Sequence, residues 1–362
     1  MMKKTLHIAM RRVQRGMSLI EVLVAIAIGL IGILIMSQAY LTSDEFNKAT
    51  LGAGGAQTNG NVALFTLERD VRMSGFGINH SMTLGCGNMN WFYNGQYSQN
   101  LGGALTNIFV APVVITSAAN TPDQITVMYG TGSVRTIPTL MTAPATASEL
   151  TIDGIGGYFA APTFDRLLVV DKAGSPCTMM QVSGLIPASS KIQRLSTASA
   201  LYNPPGGGAF PVYGTNDYVF NLGTPVVRNY TITNDSLRVA DPFDLAAGGA
   251  AIDLVDGIVD MRAQYGKDTN DDGIVDTYNA TLPASAAEWR QVLSVRIGLV
   301  ARVGNYEKPT GANCTATTAA PTWQGGSFDW TNFTTVTNQA RCYRYRVFET
   351  TIPLRNMIWR FS

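Results

Sequence analysis

Between Met17 and Met36 the chain runs for twenty residues in which Glu21 is the only charged one. At about 1.5 Å of rise per residue, a helix of that length crosses the roughly 30 Å apolar core of a bilayer. Lys3, Lys4, Arg11, Arg12 and Arg15 precede it. Basic residues on this side hold that end in the cytoplasm, so the remainder of the chain is expected on the far side of the membrane. Glu21 is the exception that needs a reason. A carboxylate inside a membrane segment is costly unless it is paired, and nothing basic lies within the run. Cleavage after Gly16 would create an amine four residues before Glu21, able to compensate it from the same chain or from a neighbouring one.

Two plainer readings explain less. A secretory signal peptide has a shorter apolar core and a small-x-small cleavage site after it, whereas here small residues are scattered through the helix. A simple signal anchor leaves Glu21 without a role. The series Gly16-Met17-Ser18-Leu19-Ile20-Glu21 and the apolar helix behind it resemble the class III signal of type IV prepilins. Met17 stands where major pilins most often carry Phe. The resemblance implies that a prepilin peptidase cleaves after Gly16 and N-methylates Met17. It also implies that Glu21 serves assembly, by compensating the terminal amine of a neighbouring subunit.

The fold expected is α+β: a long N-terminal helix packed on a β-rich, loop-rich head. Residues 1–16 form the leader and 17–41 the transmembrane and assembly helix. Residues 42–76 are an amphipathic continuation with a glycine-rich break at Leu51–Gly55, since each Gly costs up to about 1 kcal/mol in a helix. The head follows over 77–362. Ala25, Gly29 and Gly32 place small residues three or four apart, a spacing that lets helices approach closely. After the break, Val62, Phe65, Leu67, Val71 and Met73 mark the apolar side, and Ser74-Gly75-Phe76-Gly77 ends the helix. Strands are expected at 108–115, 124–129, 166–171, 177–182, 226–233 and 237–239, between loops rich in Gly, Pro, Asn and Ser. A strand or short helix is expected over 252–265. Leu293, Val295, Ile297 and Leu299 alternate with polar or small residues as in a half-buried strand, and a last strand runs from about Tyr343. The stretches 61–76, 289–299 and Pro353-Leu354-Arg355-Asn356 are similar to PilW-type minor pilins, while 86–248 carries little of that likeness.

Composition narrows the function. Five of the 26 Lys and Arg lie in the leader, which leaves 21 against 25 Asp and Glu. No basic run follows, so no nucleic-acid partner is expected. His80 is the one histidine beyond the leader, which argues against a His-rich metal site or a Ser-His-Asp triad, and no enzyme is expected. Cys86, Cys177, Cys314 and Cys342 are dispersed, as disulfide partners are in exported chains, with three connectivities open. Cys314–Cys342, closing a polar loop, is the favoured pair, which leaves Cys86–Cys177; free buried thiols are the alternative.

One loop carries metal chemistry. Asp268-Thr-Asn270-Asp-Asp272-Gly273-Ile274-Val-Asp276 has the oxygen spacing of a calcium loop, with side chains at Asp268, Asn270 and Asp272, the Ile274 carbonyl, and Asp276 directly or through water. The twelfth position is Asn279 rather than a bidentate Glu. The site is therefore weak, or Asp256 or Asp260 completes it. The alternative is an Asx-rich turn without metal.

The function expected is that of a type IV pilus minor pilin acting at or near the filament tip, where it primes assembly and presents an adhesin. Its partners would be prepilin peptidase, other minor pilins, the major pilin, a tip adhesin and the inner membrane. The alternatives are a J-type pseudopilin of type II secretion and a membrane-anchored calcium-dependent adhesin or enzyme.

Overall fold

The structure is a computed structural model that describes residues 17–358, apart from 85, 88, 99–107, 133, 135, 136, 208, 209, 310–313, 331, 332 and 334–336. The leader, with Gly16, lies outside the described residues. The chain divides into two compact units, residues 1–51 and 52–362. Helix α1 (Leu19–Met73, 55 residues) supplies the described helix of the first unit and the opening helix of the second. In the first unit its apolar residues are exposed, and a Cβ at Gly29 or Gly32 would meet nothing within 4 Å.

In the second unit the strands are, in chain order, β1 (Phe92–Tyr93), β2 (Gln96–Tyr97), β3 (Val113–Thr116), β4 (Gln124–Tyr129), β5 (Thr139–Leu140), β6 (Glu149–Thr151) and β7 (Arg166–Val170). There follow β8 (Cys177–Gln181), β9 (Gly184–Ile186), β10 (Lys191–Gln193), β11 (Tyr218–Gly223), β12 (Val226–Thr233), β13 (Ser236–Ala240) and β14 (Ile252–Asp256). The last are β15 (Ile258–Lys267), β16 (Thr277–Asn279), β17 (Val292–Arg302), β18 (Thr322–Trp323), β19 (Gly326–Ser327) and β20 (Tyr345–Pro353). Two antiparallel sheets, β14-β13-β12-β4-β3 and β16-β15-β17-β20, share the main core with α1. A third sheet, β5-β11-β7-β8, is covered on one side by the 78–110 segment and on the other by β6-β10-β9. Leu293 to Leu299 lies within β17, which is covered on both faces rather than half-buried. Val295, Ile297 and Leu299 join the helix core, while Val300 joins Phe328 and Phe333 of the following segment.

The glycine-rich break is not there: α1 is helical through Leu51–Gly55. Its small residues instead let the sheet come close. The buried stripe is Ala56, Gly60, Ala63, Leu67 and Val71 with Asp70 and Ser74 among them, at heptad spacing. Val62, Phe65 and Met73 point outward, at 48, 67 and 49 % exposure. Leu67 and Val71 are buried as expected, whereas Val62, Phe65 and Met73 are not, because much of the contacting face is built of Ala and Gly, which carry little hydrophobic signal. At Gly60 the Phe348 ring lies on the helix backbone, and a Cβ there would stand 2.1 Å from Phe348 Cε2. Gly60→Ala is therefore expected to cost about 1–3 kcal/mol through forced displacement of the ring. Gly54, whose Cβ would meet nothing within 4 Å, should gain about 0.4–1 kcal/mol on the same substitution. Urea midpoints of the two variants, moving in opposite directions, check both statements.

Candidate functional site

At the helix start, Met17 and Ser18 precede the first turn. The Ser18 N–H donates to Glu21 Oε2 at 2.8 Å and the Glu21 N–H donates to Ser18 Oγ at 3.3 Å. This reciprocal pair is a capping box, and it satisfies two donors that a helix start leaves open. Glu21 thus has Ser18 as its partner, which sequence reasoning did not foresee, although the Ser-x-x-Glu spacing was there to be seen.

The opposite end of α1 is held by the head. Ser74 to Gly77 turns the chain, with Gly75 and Gly77 at positive φ. Gly75 N–H bonds to Met128 O, and Gly130 N–H to Phe76 O, so the turn is tied to the end of β4. The closing Pro353-Leu354-Arg355-Asn356 has a physical job here. Asn356 Nδ2 donates to the carbonyls of Met73 and Ser74 at 3.1 and 2.9 Å, satisfying acceptors that the last turn leaves open. Leu354 and Met357 beside it are fully buried.

Asp70 fastens the helix to the central strand of the larger sheet. It is 1 % exposed, and its Oδ2 accepts from Arg228 at 2.6 Å and from the Tyr230 hydroxyl at 2.5 Å, both on β12. Burial, and after it Asp70, pushes the Tyr230 hydroxyl pKa up, so it stays a neutral donor. The alternation of apolar and charged residues along 61–73 gives Asp70 no distinction from Glu68, Arg69 and Arg72. The heptad place of Asp70, seven residues after Ala63, was the signal that it faces inward.

Residues 268–276 connect β15 to β16 as a hairpin loop. Asp268, 1 % exposed, accepts the N–H groups of Asp271 (2.7 Å), Asp272 (3.2 Å) and Gly273 (2.8 Å). Asn270 Oδ1 accepts from Asp272 N–H and its Nδ2 donates to Asp272 Oδ2, both at 3.1 Å, while Asp272 Oδ1 accepts from Ile274 N–H. Asp276 Oδ2 receives the Thr269 hydroxyl and N–H, which hold its carboxyl below the usual range. Among the described residues no three Asp, Glu, His or Cys side chains form a ready metal-holding group. The donor set fits calcium only in part: Asp268, Asn270 and Asp272 share one turn, while Asp276 is turned to Thr269. Completion by Asp256 or Asp260, the alternative to a weak site, does not occur. Asp260 lies on the same extended strand eight residues before Asp268, roughly 26 Å away at strand rise, and its neighbour in ion-pair range is Arg262. Asp256 bonds to Ser236, and Asn279 sits in the β16 ladder opposite Tyr265.

Both disulfides are formed, Cys86–Cys177 and Cys314–Cys342. The first is buried in the core under β8. The second closes the segment that covers the outer face of β17 and β20.

Comparison with known protein families gives two matches. A family model described as type IV pilus-assembly protein W matches residues 226–356, and the prokaryotic N-terminal methylation motif matches 11–37. The chain is a PilW-like type IV pilin. The PilW match runs from β12 to Asn356, and so takes in Arg228, Tyr230, Phe348 and Asn356, which are the residues that grip α1. No curated protein matches, and no solved structure does. Both matched descriptions concern pilus assembly and prepilin processing, so the PilW-like chain is a type IV pilus minor pilin whose prepilin motif and apolar helix fit a membrane-anchored subunit.

Proposed function

We propose that this minor pilin is cut after Gly16 by a prepilin peptidase, methylated on Met17, and incorporated at or near the filament tip, where it primes assembly and presents an adhesin. Before assembly its N-terminus is cytoplasmic and its head periplasmic, and afterwards it lies in an extracellular filament. The observation that carries the placement is the size of the head. Residues 77–225 add three further sheets, β1-β2, β5-β11-β7-β8 and β6-β10-β9, between α1 and the PilW-matched region in the chain. Heads stacked along a filament shaft must clear their neighbours, whereas a subunit at the end has room for this addition. The test is mass spectrometry of sheared filaments together with pilus counts in a strain lacking the gene. A peptide beginning at methylated Met17, beside other minor pilins, and a loss of filaments are expected. Normal pilus number without the protein would remove the priming role. Recovery only in membranes beside secretion components would favour a pseudopilin.

A calcium role for residues 268–276 is favoured by one observation, the buried Asp268 carboxylate at the centre of a turn that also carries Asn270 and Asp272. A carboxylate oxygen accepting an N–H keeps a lone pair for a cation, and Asp276 would join on leaving Thr269. With a dissociation constant of about 10⁻⁴–10⁻³ M, as for extracellular modules, about 5 mM calcium stabilises the head by about 1–2 kcal/mol. Thermal melts in calcium and in chelator check this, and Asp276→Asn should remove the difference. Superimposable melts of the unsubstituted protein would leave the loop as a plain Asx turn.

A further inference from the structure

Strand β20 lies at one edge of its sheet, and the register shows which of its backbone groups face outward. The Val303 N–H donates to Arg344 O and the Leu354 N–H to Leu293 O, each at 2.8 Å. Both pairs continue the unbroken β17–β20 register, so residues 346, 348, 350 and 352 turn their N–H and C=O groups toward β17. Val347, Glu349 and Thr351 therefore aim theirs away from the sheet, and among the described residues none of these groups has a backbone partner. Pro353 falls on the same outward side, where a missing N–H costs the ladder nothing.

The outer face beside this edge is a cleft of 160 Å³ lined by residues that include Arg296, Trp323, Gln324, Glu349 and Thr351. Glu349 is exposed, and its Oε2 accepts the Gln324 N–H at 2.8 Å. Arg296 stacks on Tyr278 at 4.2 Å and bonds to Gln264 at 2.8 Å. It stands directly across from Thr351 in the register. Outward main-chain groups next to a side-chain cleft are what recognition by strand addition requires: the backbone provides affinity and alternate side chains provide choice.

We propose that β20 is the docking edge for an extended strand of a different polypeptide, one that carries a Lys or Arg opposite Glu349 and a hydroxyl residue opposite Thr351. Charge complementarity selects this occupant. A basic side chain meets the exposed carboxylate, and a hydroxyl on the added strand hydrogen-bonds across to the Thr351 hydroxyl beside it. Docking at this edge does not depend on where in a filament the subunit sits.

The test uses the full oxidised chain in detergent and fluorescein-labelled hexapeptides of alternating Thr and Val with either Lys or Glu at the centre. The Lys peptide should bind about three- to tenfold more tightly than the Glu peptide, the range expected of a cross-strand charge pair at one position. Thr351→Pro removes an outward N–H and the hydroxyl without breaking a ladder bond to β17, so it should keep the fold and lose binding. Glu349→Lys should invert the preference, and it decides the matter if Thr351→Pro does not fold. No binding of either peptide up to about 1 mM, or binding untouched by Thr351→Pro, would overturn the proposal. Self-association of the chain that Thr351→Pro abolishes would also overturn it, by making a second copy the occupant.

Discussion

Asp70→Ala is expected to weaken the head by about 2–4 kcal/mol, because it strips a buried pair of one partner. Removing one member of such a pair costs about 3–5 kcal/mol when the other stays dry. Here Arg228 keeps 35 % of its side chain in water and can be rehydrated in part, whereas the Tyr230 hydroxyl is buried and left without its acceptor. Asp70→Asn retains an acceptor for Tyr230 and should lose roughly half as much, about 1–2 kcal/mol. Urea unfolding of the oxidised protein, followed by tryptophan fluorescence, measures both. The head is where the reporting tryptophans lie, and Trp91 and Trp289 are fully buried. A double-mutant cycle with Tyr230→Phe should give a coupling of about 1 kcal/mol or more if the contact is as close as it stands here. Additive effects would mean that Asp70 is held by Arg228 and Arg69 instead. The consequence reaches function, since Asp70 joins the helical segment of the head to β12.

Replacing Cys86 and Cys177 by Ala should cost about 4–5 kcal/mol, the chain-entropy value for a cross-link across 91 residues. That cost approaches the whole stability of many domains. The same change at Cys314 and Cys342, which close 28 residues, should cost about 3–4 kcal/mol on the same reasoning. The difference in kind matters more than the difference in size. Cys86 and Cys177 sit at 1 and 0 % exposure in the core that links the 78–110 segment to the third sheet. The other pair closes a surface segment over β17 and β20. The first variant should therefore lose the third sheet's protection in hydrogen exchange, and the second only the protection of residues 314–342. Equal, local losses from both would show that the buried bridge carries no more of the fold than the outer one.

Much of this protein was legible one residue at a time. The apolar run with its single Glu, and the basic residues before it, define a membrane-type helix because length and polarity act locally. Strands such as 124–129 and 226–233 were legible for the same reason, since alternation and turn residues are near-neighbour properties. β11 went unseen, because a buried central strand has no polar face to alternate with.

Only the tertiary structure decided the rest. Leu51–Gly55 looked like a break because isolated glycines disfavour helix. They lie within α1 all the same, between the apolar run before them and the segment from Ala56 onward that packs on the sheet, with Phe348 seated on Gly60. Asp70 looked no different from its charged neighbours until β12 brought Arg228 and Tyr230 to it from some 160 residues away. Asp256 and Asp260 looked close to the calcium loop in sequence, but Asp260 is a strand's length away along β15 and Asp256 is bound to Ser236 at the end of β14. Asn356 was a motif without a reason until the chain's end met the end of α1. Sequence determines what each segment can be, because that depends on neighbours along the chain. Which side chain meets which depends on contacts between segments far apart, and those exist only once the sheets have closed on the helix.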